Sequence, residues 1–302
     1  AHCVRCGKCK PVCPVFYPAK NMFFHPRNKN LSLIALIEAL LYISQRNLSV
    51  SFEVLKNIEQ IADHCTICHK CFDNCPVNID SGKLSIQERN ILDRMGYKKK
   101  PLATGMTLNY LADKSKWTNP VMRTALLGAG ATAQRISSTL LGPMIRDKAT
   151  AWPWSLLKSP VAKSPWTTLR ALLPDTNPFQ TLAFEPEGDV RSTVLYFPGC
   201  GSERVFSQIS KASLFLLLNQ GNRVVLPPQY LCCGYPFQVN AKKEAYDTIV
   251  LENTILFSRI KKMFSDLDFD GCIVSCGTCM ESLTQIGTGT ILECPVKDIS
   301  AY

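Results

Sequence analysis

The sequence predicts a helical amino-terminal domain followed by an α/β module built on a parallel sheet. Three observations carry this expectation. Two tight cysteine runs near the start enclose 51 residues of helical periodicity. From residue 191 onward, short β-branched runs alternate with amphipathic stretches, the pattern of strands joined by helical crossovers. Hydrophobic residues make up 46% of the 302 positions, enough for cores in two or three modest domains.

The first region, residues 1–96, holds both cysteine runs. Ser32 to Gln45 repeats apolar residues at helical spacing, Ser51 is placed to cap a second helix running to about His64, and Ser81 to Met95 reads as a third helix that Gly96 stops. Residues 97–190 form a connector and linker. Between 97 and 170 stand twelve Lys or Arg against Asp113 and Asp147 alone, an excess equal to the formal charge of the whole chain, +10. All four tryptophans, Trp117, Trp152, Trp154 and Trp166, lie there too. Residues 171–190 read as a Pro-containing linker. In the third region, residues 191–302, strands are expected at Ser192–Phe197, Arg223–Leu226, Gly271–Val274 and Thr290–Glu293. Helices are expected up to about Leu218, from about Ala241 to Lys262, and briefly after Val274.

No apolar run has the length of a membrane-spanning helix, since the best, Ala125 to Ala133, ends at Gln134-Arg135. No signal-peptide pattern opens the chain. It begins at Ala1 and reaches a motif at its third residue, so it reads as part of something longer, and Tyr302 looks like an equally abrupt end.

Fifteen cysteines, an odd number gathered mostly in C-x-x-C runs, argue for metal ligation rather than a disulfide framework, and hence for a reducing compartment such as the cytoplasm. Cys3, Cys6, Cys9 and Cys13-Pro14 form one C-x2-C-x2-C-x3-C-P run, and Cys65, Cys68, Cys71 and Cys75-Pro76 form another. Three thiolates at i, i+3 and i+6 wrap three irons of a cubane, and the fourth points at the other cluster. One [4Fe–4S] cluster is therefore expected on Cys3, Cys6, Cys9 and Cys75, and a second on Cys65, Cys68, Cys71 and Cys13. Zinc would account for C-x-x-C pairs, but not for the third cysteine and the C-x3-C-P ending repeated twice. His64 and His69 flank the second run and read as exposed or loop-packing side chains rather than ligands. Tyr17 and Phe72 are candidates for shielding the clusters, and equally for core packing. With its long helical gap, the region from residue 1 to about 96 resembles the α-helical ferredoxin domain of the iron–sulfur subunits of succinate dehydrogenase, anaerobic glycerol-3-phosphate dehydrogenase and glycolate oxidase.

The second constellation lies in the α/β module. Cys200, the pair Cys232-Cys233 and Cys276 each follow an expected strand, Cys294 ends the last one, and Cys279 comes three residues after Cys276. In a parallel sheet such positions share the carboxyl edge, where open α/β sheets bind ligands, so six thiols are expected to converge. Cys272, inside its strand, reads as a buried structural thiol. Gly199-Cys200, Cys232-Cys233-Gly234 and Ser275-Cys276-Gly277-Thr278-Cys279 resemble the CCG cysteine-rich domain found in heterodisulfide reductases, in glycolate and lactate oxidation systems, and in anaerobic glycerol-3-phosphate dehydrogenase. In the disulfide reductases that resemblance implies a third, non-cubane [4Fe–4S] cluster, here on Cys200, Cys232, Cys233, Cys276 and Cys279. The stretch from Cys233 to Cys276 is longer than the family's, and one CCG module is present where the family carries two.

Gly128-Ala129-Gly130-Ala131-Thr132-Ala133 fits G-x-G-x-x-A, but no strand precedes it, and small residues for helix packing explain it better than a dinucleotide site. The basic, tryptophan-bearing connector has three readings: a solvated surface, a dock for an acidic flavoprotein domain or subunit, or a peripheral contact with anionic lipid on the inner face of a membrane. No nucleic-acid-binding motif appears, and no flavin, nicotinamide or catalytic-triad pattern. The family resemblance implies the iron–sulfur electron-transfer part of a flavin-dependent 2-hydroxyacid dehydrogenase of the D-lactate or glycolate type. FAD would sit on another domain or partner, and a quinone or other carrier would be the acceptor. The alternative is a heterodisulfide-reductase-type thiol–disulfide oxidoreductase with a catalytic CCG cluster.

Overall fold

A computed structural model of the chain describes residues 3–46, 59–99, 101–115, 118–145, 167–174 and 180–302. The four tryptophans and the expected Ser51 cap lie outside them. The chain divides into two units, Ala1–Thr104 with Pro236–Asp247, and Gly105–Tyr235 with Thr248–Tyr302.

In the first unit, helix α1 (Pro26–Arg46) extends the expected Ser32–Gln45 stretch by one and a half turns at its start. Residues 59–63, the end of the second expected helix, are helical. Helix α2 (Ser81–Arg94) is the third. Asp80 starts α2, its Oδ1 accepting from Gly82 N at 2.9 Å and Lys83 N at 3.2 Å, which satisfies two of the amide groups a helix start leaves open. Gly96 ends the segment at φ +77°, as expected of a helix stop. The two long helices close on Leu33, Leu36 and Leu92, with Leu40, Ile43, Leu84 and Ile91 around them. Between them Glu88 is fully buried and accepts from Ser32 Oγ at 3.0 Å. Burial raises its carboxyl to about pKa 7, against the pull of Ser32, Arg89 and Lys29.

In the second unit a five-stranded sheet has the order β1-β3-β2-β4-β5, with β1 Leu182–Phe184, β2 Ser192–Phe197, β3 Asn222–Leu226, β4 Gly271–Val274 and β5 Val296–Asp298. Strands β2 to β5 are parallel, and β1 runs antiparallel along β3. Helices α3 (Ser207–Asn219), α4 (Lys243–Met263) and α5 (Gly277–Gln285) follow β2, β3 and β4 respectively. One face of the sheet buries Val194, Tyr196, Val224, Leu226 and Ile273 with Leu214 and Leu217 of α3. On the other, Phe197 meets Phe257 of α4 edge-on at 6.1 Å. Cover on both faces is why the central strands read as continuous apolar runs rather than alternating ones.

Two expectations are corrected. Thr290–Glu293 is not a strand: Thr288–Leu292 is helical, entered from Gly287 at φ +78° and left through Glu293 at φ +56°. The β-branched Thr-Ile run imitates a strand, but these two left-handed residues confine it to one helical turn, and the last strand begins only after Pro295. The linker reading of 171–190 missed β1, three residues being too few to show alternation. Gly128 to Ala133 lies in continuous helix, Thr124–Gly130 running into Ala131–Ile145, with no strand before it. Among the described residues no helix is long and apolar enough to cross a membrane.

Glu88 makes stability depend on pH. The unfolded carboxyl loses its proton near the ordinary value of 4.5, the folded one near 7, so between these values the folded state holds the extra proton and stability falls as pH rises. Urea midpoints should therefore decline from pH 4.5 to 7 in the parent chain. Glu88→Gln should remove that part of the slope.

Candidate metal centres

The two runs of the first unit share one backbone design. Arg5 and Ile67, each two residues after the leading cysteine, have φ +57° and +52°; Gly7 and His69, each one residue after the second cysteine, have φ +77° and +57°. These left-handed turns fold each run back on itself. The fourth cysteine of each run then accepts a backbone amide, Cys13 Sγ from Phe16 N at 3.4 Å and Cys75 Sγ from Ile79 N at 3.3 Å. The third cysteine meets the start of a helix: the Arg27 amide of α1 at Cys9, the Ser81 amide and hydroxyl of α2 at Cys71. Burial nonetheless raises both thiols, with neighbouring cysteines adding to it. Metal loading must therefore displace protons from them.

A cavity partly open to solvent is walled by Cys3, Cys6 and Cys9 of the first run and by Cys71 and Cys75 of the second. Four of these five are the side chains the spacing assigns to one cluster; the fifth, Cys71, is assigned to the other and also acts on Cys9 by charge. Of the other expected set, Cys65 and Cys71 lie within electrostatic reach of each other, while Cys13 is buried. Among the described residues no three Cys, His, Asp or Glu side chains close on a single metal-ion position; a cubane takes one thiolate on each of four irons, so its ligands need not share a point.

The second run is held by a residue that motif reading overlooked. Arg89 of α2, buried, donates to the carbonyls of Ala62 and Cys65, each at 2.7 Å from Nη2, and its Nη1 reaches Val239 O at 2.6 Å. It thereby closes the open carbonyls of helix 59–63. His69 hydrogen-bonds Asp80 Oδ2 through Nδ1 at 2.7 Å, and His64 stacks on Phe24 with ring centroids 4.5 Å apart. Tyr17 and Phe72 are 67% and 40% exposed, which removes the core-packing explanation for both.

In the second unit, three adjacent parallel strands deliver cysteines to one edge: β2 leads to Cys200, β3 to Cys232-Cys233, β4 to Cys276. Cys232 Sγ lies 3.7 Å from Cys200 Sγ. Cys233 hydrogen-bonds both Cys232 and Cys279, and Cys279 also hydrogen-bonds Cys276, so the five thiols form one continuous line. Cys294 is not among them, contrary to the six expected. It precedes β5 instead of ending a strand, which puts it at the sheet's other edge, within reach of buried Cys272. Gly199 has φ +71°, and a Cβ there would stand 2.7 Å from Cys279 Sγ. Only glycine lets the backbone come this close. The carbonyl of Cys232 accepts from Asn253 Nδ2 at 2.9 Å and that of Cys233 from Ser282 Oγ at 2.7 Å.

The line of thiols polarises itself. Cys233, hydrogen-bonded with Cys232 and Cys279, is held well below the ordinary thiol range, and Cys276, hydrogen-bonded with Cys279 and Thr278, falls to about 5. Cys200 rises through its contact with Cys232 and then burial, and Cys279 through Cys233 and Cys276. Cys232 rises to about 12: contact with Cys200 pulls it down, but Cys233 and burial outweigh this. Five clustered sulfurs, without a carboxylate among them, suit a soft, thiolate-bound metal centre. Beside them Arg204, fully buried, lies against the rings of Tyr110 and Tyr230 at 5.4 and 5.1 Å and donates to Asp113 O at 2.7 Å and Tyr230 O at 2.9 Å. Its neighbour Glu203 pairs with Arg170 at 2.5 Å. Nothing in the motif pattern marks Arg204, Asn253 or Ser282, because their partners are backbone carbonyls far away in sequence.

Known proteins share both cysteine-bearing regions. Residues 1–79 match the 4Fe-4S dicluster domain family, and residues 194–284 match the cysteine-rich domain family of CCG type. The chain is 23% identical over 292 residues to a probable glycolate oxidase iron-sulfur subunit of Bacillus subtilis, covering 94% of this chain and 58% of that protein. It is 26% identical over 121 residues to an uncharacterized iron-sulfur protein of Methanocaldococcus jannaschii, covering 40% of this chain and 23% of that one. The chain therefore spans less than two thirds of either relative. No solved structure matches it.

Two variants check the second nest. Asn253→Ala leaves the Cys232 carbonyl without its buried donor and should cost about 1–3 kcal/mol, read as a lower urea midpoint. Gly199→Ala should push Cys279 out of line, so anaerobically reconstituted protein should lose the iron held at this nest and keep that held by the two cysteine runs.

Proposed function

We propose that this chain is the iron–sulfur electron-transfer component of a flavin-dependent 2-hydroxyacid dehydrogenase of the D-lactate or glycolate type. The observation that carries the reading is the joining of a 4Fe-4S dicluster domain and a CCG cysteine-rich domain in one chain, in an alignment with a glycolate oxidase iron-sulfur subunit that runs through nearly all of it. The flavin would lie on another domain or on a partner subunit, and the final acceptor would be a quinone or another carrier. The thiol-rich chemistry suits a reducing compartment, the cytoplasm, and the basic connector would serve to dock the flavoprotein or to meet the inner face of a membrane.

Oxidation of a 2-hydroxy acid to a 2-oxo acid releases two electrons, and clusters, when bound, supply one-electron storage for each of them in turn. The chain's own residues hold those stores. Cys3, Cys6, Cys9 and Cys75 are assigned to one cubane, a reading supported by the cavity they share, which Cys71 also borders. Cys65, Cys68, Cys71 and Cys13 are assigned to the other. Amides of Phe16 and Ile79 donate to the sulfur of the fourth cysteine of each run, and Arg89 fixes the entry to the second. Cys200, Cys232, Cys233, Cys276 and Cys279 are assigned to a third centre, which their continuous line supports.

One observation favours a second reading. That five-thiol line is the ligand set the disulfide-reductase resemblance implies, and a heterodisulfide-type reductase would use it as the reacting centre rather than as a relay. The two separate by experiment. Under anaerobic conditions, glycolate or D-lactate together with a flavoprotein that oxidises it should bleach the visible absorbance of the reconstituted chain, and substrate alone should not. Failure to bleach, with reduction of an organic disulfide by the pre-reduced chain, would establish the second reading instead. Independently, Cys75→Ser should destroy the cubane of the first run. If magnetic spectra show only the second run's cluster lost, the exchange of ligands between the runs is wrong.

A further inference from the structure

The two nests of the first unit share a backbone but not a charge. Each is followed by a long helix whose first amides reach its third cysteine. At the cap of α1 stands His25, whose Nδ1 accepts from Arg27 N at 3.1 Å. At the cap of α2 stands Asp80, whose Oδ1 accepts from Gly82 N at 2.9 Å. The bond spans two residues in both cases, so His25 and Asp80 occupy the same place in the repeat. A carboxylate is present at one nest, an imidazole at the other.

The contrast widens around the caps. His25 and Arg27 line the cavity of Cys3, Cys6, Cys9 and Cys75, which Cys71 also borders, the Arg27 amide reaches Cys9, and the buried Nε of Arg27 has no hydrogen-bond partner among the described residues. The first run and the first turn of its helix carry Arg5, Lys8, Lys10, Arg27 and Lys29 with no acid; the corresponding stretch of the second carries Lys70 and Lys83 against Asp73 and Asp80. The charge of Asp80 is felt at Cys71. Upstream of the second run, Asp63 is taken up by Lys98 at 2.8 Å and Arg89 at 3.3 Å; Asp80 meets the His69 ring at 2.7 Å but still acts on Cys71 as a negative charge, so it is Asp80 that separates the two nests. Cluster potential depends on local charge and on hydrogen bonds to sulfur, and added negative charge on reduction is favoured beside a cation and opposed beside a carboxylate.

We infer that the two nests hold their clusters at unequal reduction potentials, that of Cys3, Cys6, Cys9 and Cys75 being the higher, with Arg27 and Asp80 as the residues that set the difference. With both clusters bound, an electron entering the pair would leave the second nest and come to rest at the first; one electron would move, and no bond would be made or broken. Arg27 and Asp80 are positioning residues acting on the clusters by charge. This inference rests on the electron-transfer reading above, and deepens it by giving the internal relay a direction.

The experiment is a potentiometric titration of the reconstituted full-length chain, followed by magnetic resonance of the reduced clusters. The parent chain should show two midpoints. Arg27→Gln should lower the upper one alone, by about tenfold in the reduced-to-oxidised ratio, or ~59 mV for a one-electron couple. Arg27→Lys, which keeps the charge, should restore most of it. Asp80→Asn should raise the lower midpoint alone, and because Asn caps helices as well as Asp, it tests the idea even if Arg27→Gln loses its cluster. Iron content and far-ultraviolet spectra matching the parent separate a change of charge from a loss of fold. Coincident midpoints in the parent chain, a shift of the lower midpoint by Arg27→Gln, or an unchanged gap in Asp80→Asn would overturn the inference alone. A chain that takes up no cubane would overturn the electron-transfer reading, and this inference with it.

Discussion

The amide-to-sulfur hydrogen bond is the interaction on which the architecture turns. A thiolate withdrawn from water is costly unless donors or a metal compensate it, and this fold arranges its backbone to supply donors at each nest. Phe16 and Ile79 serve the fourth cysteines of the two runs, and Gly234 N serves Cys232 Sγ at 3.4 Å. Left-handed turns, helix starts and strand ends are all consequences of aiming N–H groups at sulfur. The rest of each unit, the α1–α2 core and the doubly covered sheet, holds those aimed segments still.

The sequence disclosed the cysteine chemistry more fully than the framework behind it. Fixed spacings state which sulfurs belong to one run, and strand ends state which others meet. Both are local rules, so the gathering of cysteines from both runs around one cavity, Cys71 and Cys75 beside Cys3, Cys6 and Cys9, follows from the spacing. The misreading of Cys294 has an equally local origin: a Thr-Ile-Leu run has strand-like side chains, but the backbone on either side of it is left-handed. Arg89, Arg204 and Asn253 stayed hidden because they bind main-chain carbonyls 21 to 150 residues away, and a carbonyl leaves no mark in a sequence. β1 stayed hidden because a three-residue strand has no period.

Buried charge is used twice in different ways. Arg170 and Glu203 compensate each other, and the carboxylate of Glu203 also takes the Tyr230 amide at 2.8 Å, fixing the loop that leads to Cys232. Arg204 faces carbonyls and aromatic rings instead of a carboxylate. Its charge is therefore not cancelled locally, and it lowers the cost of negative charge at Cys200. Such an arrangement is poor for stability taken alone, and intelligible beside a nest that gathers thiolates.

The rims of the sheet have a consequence of their own. Both outermost strands, β1 and β5, are only three residues long, and β5 carries Lys297 facing outward. Short, charged margins offer little purchase to a neighbouring polypeptide seeking a strand to pair with. On these two margins the backbone thus leaves little template for a second copy of the chain to zip onto.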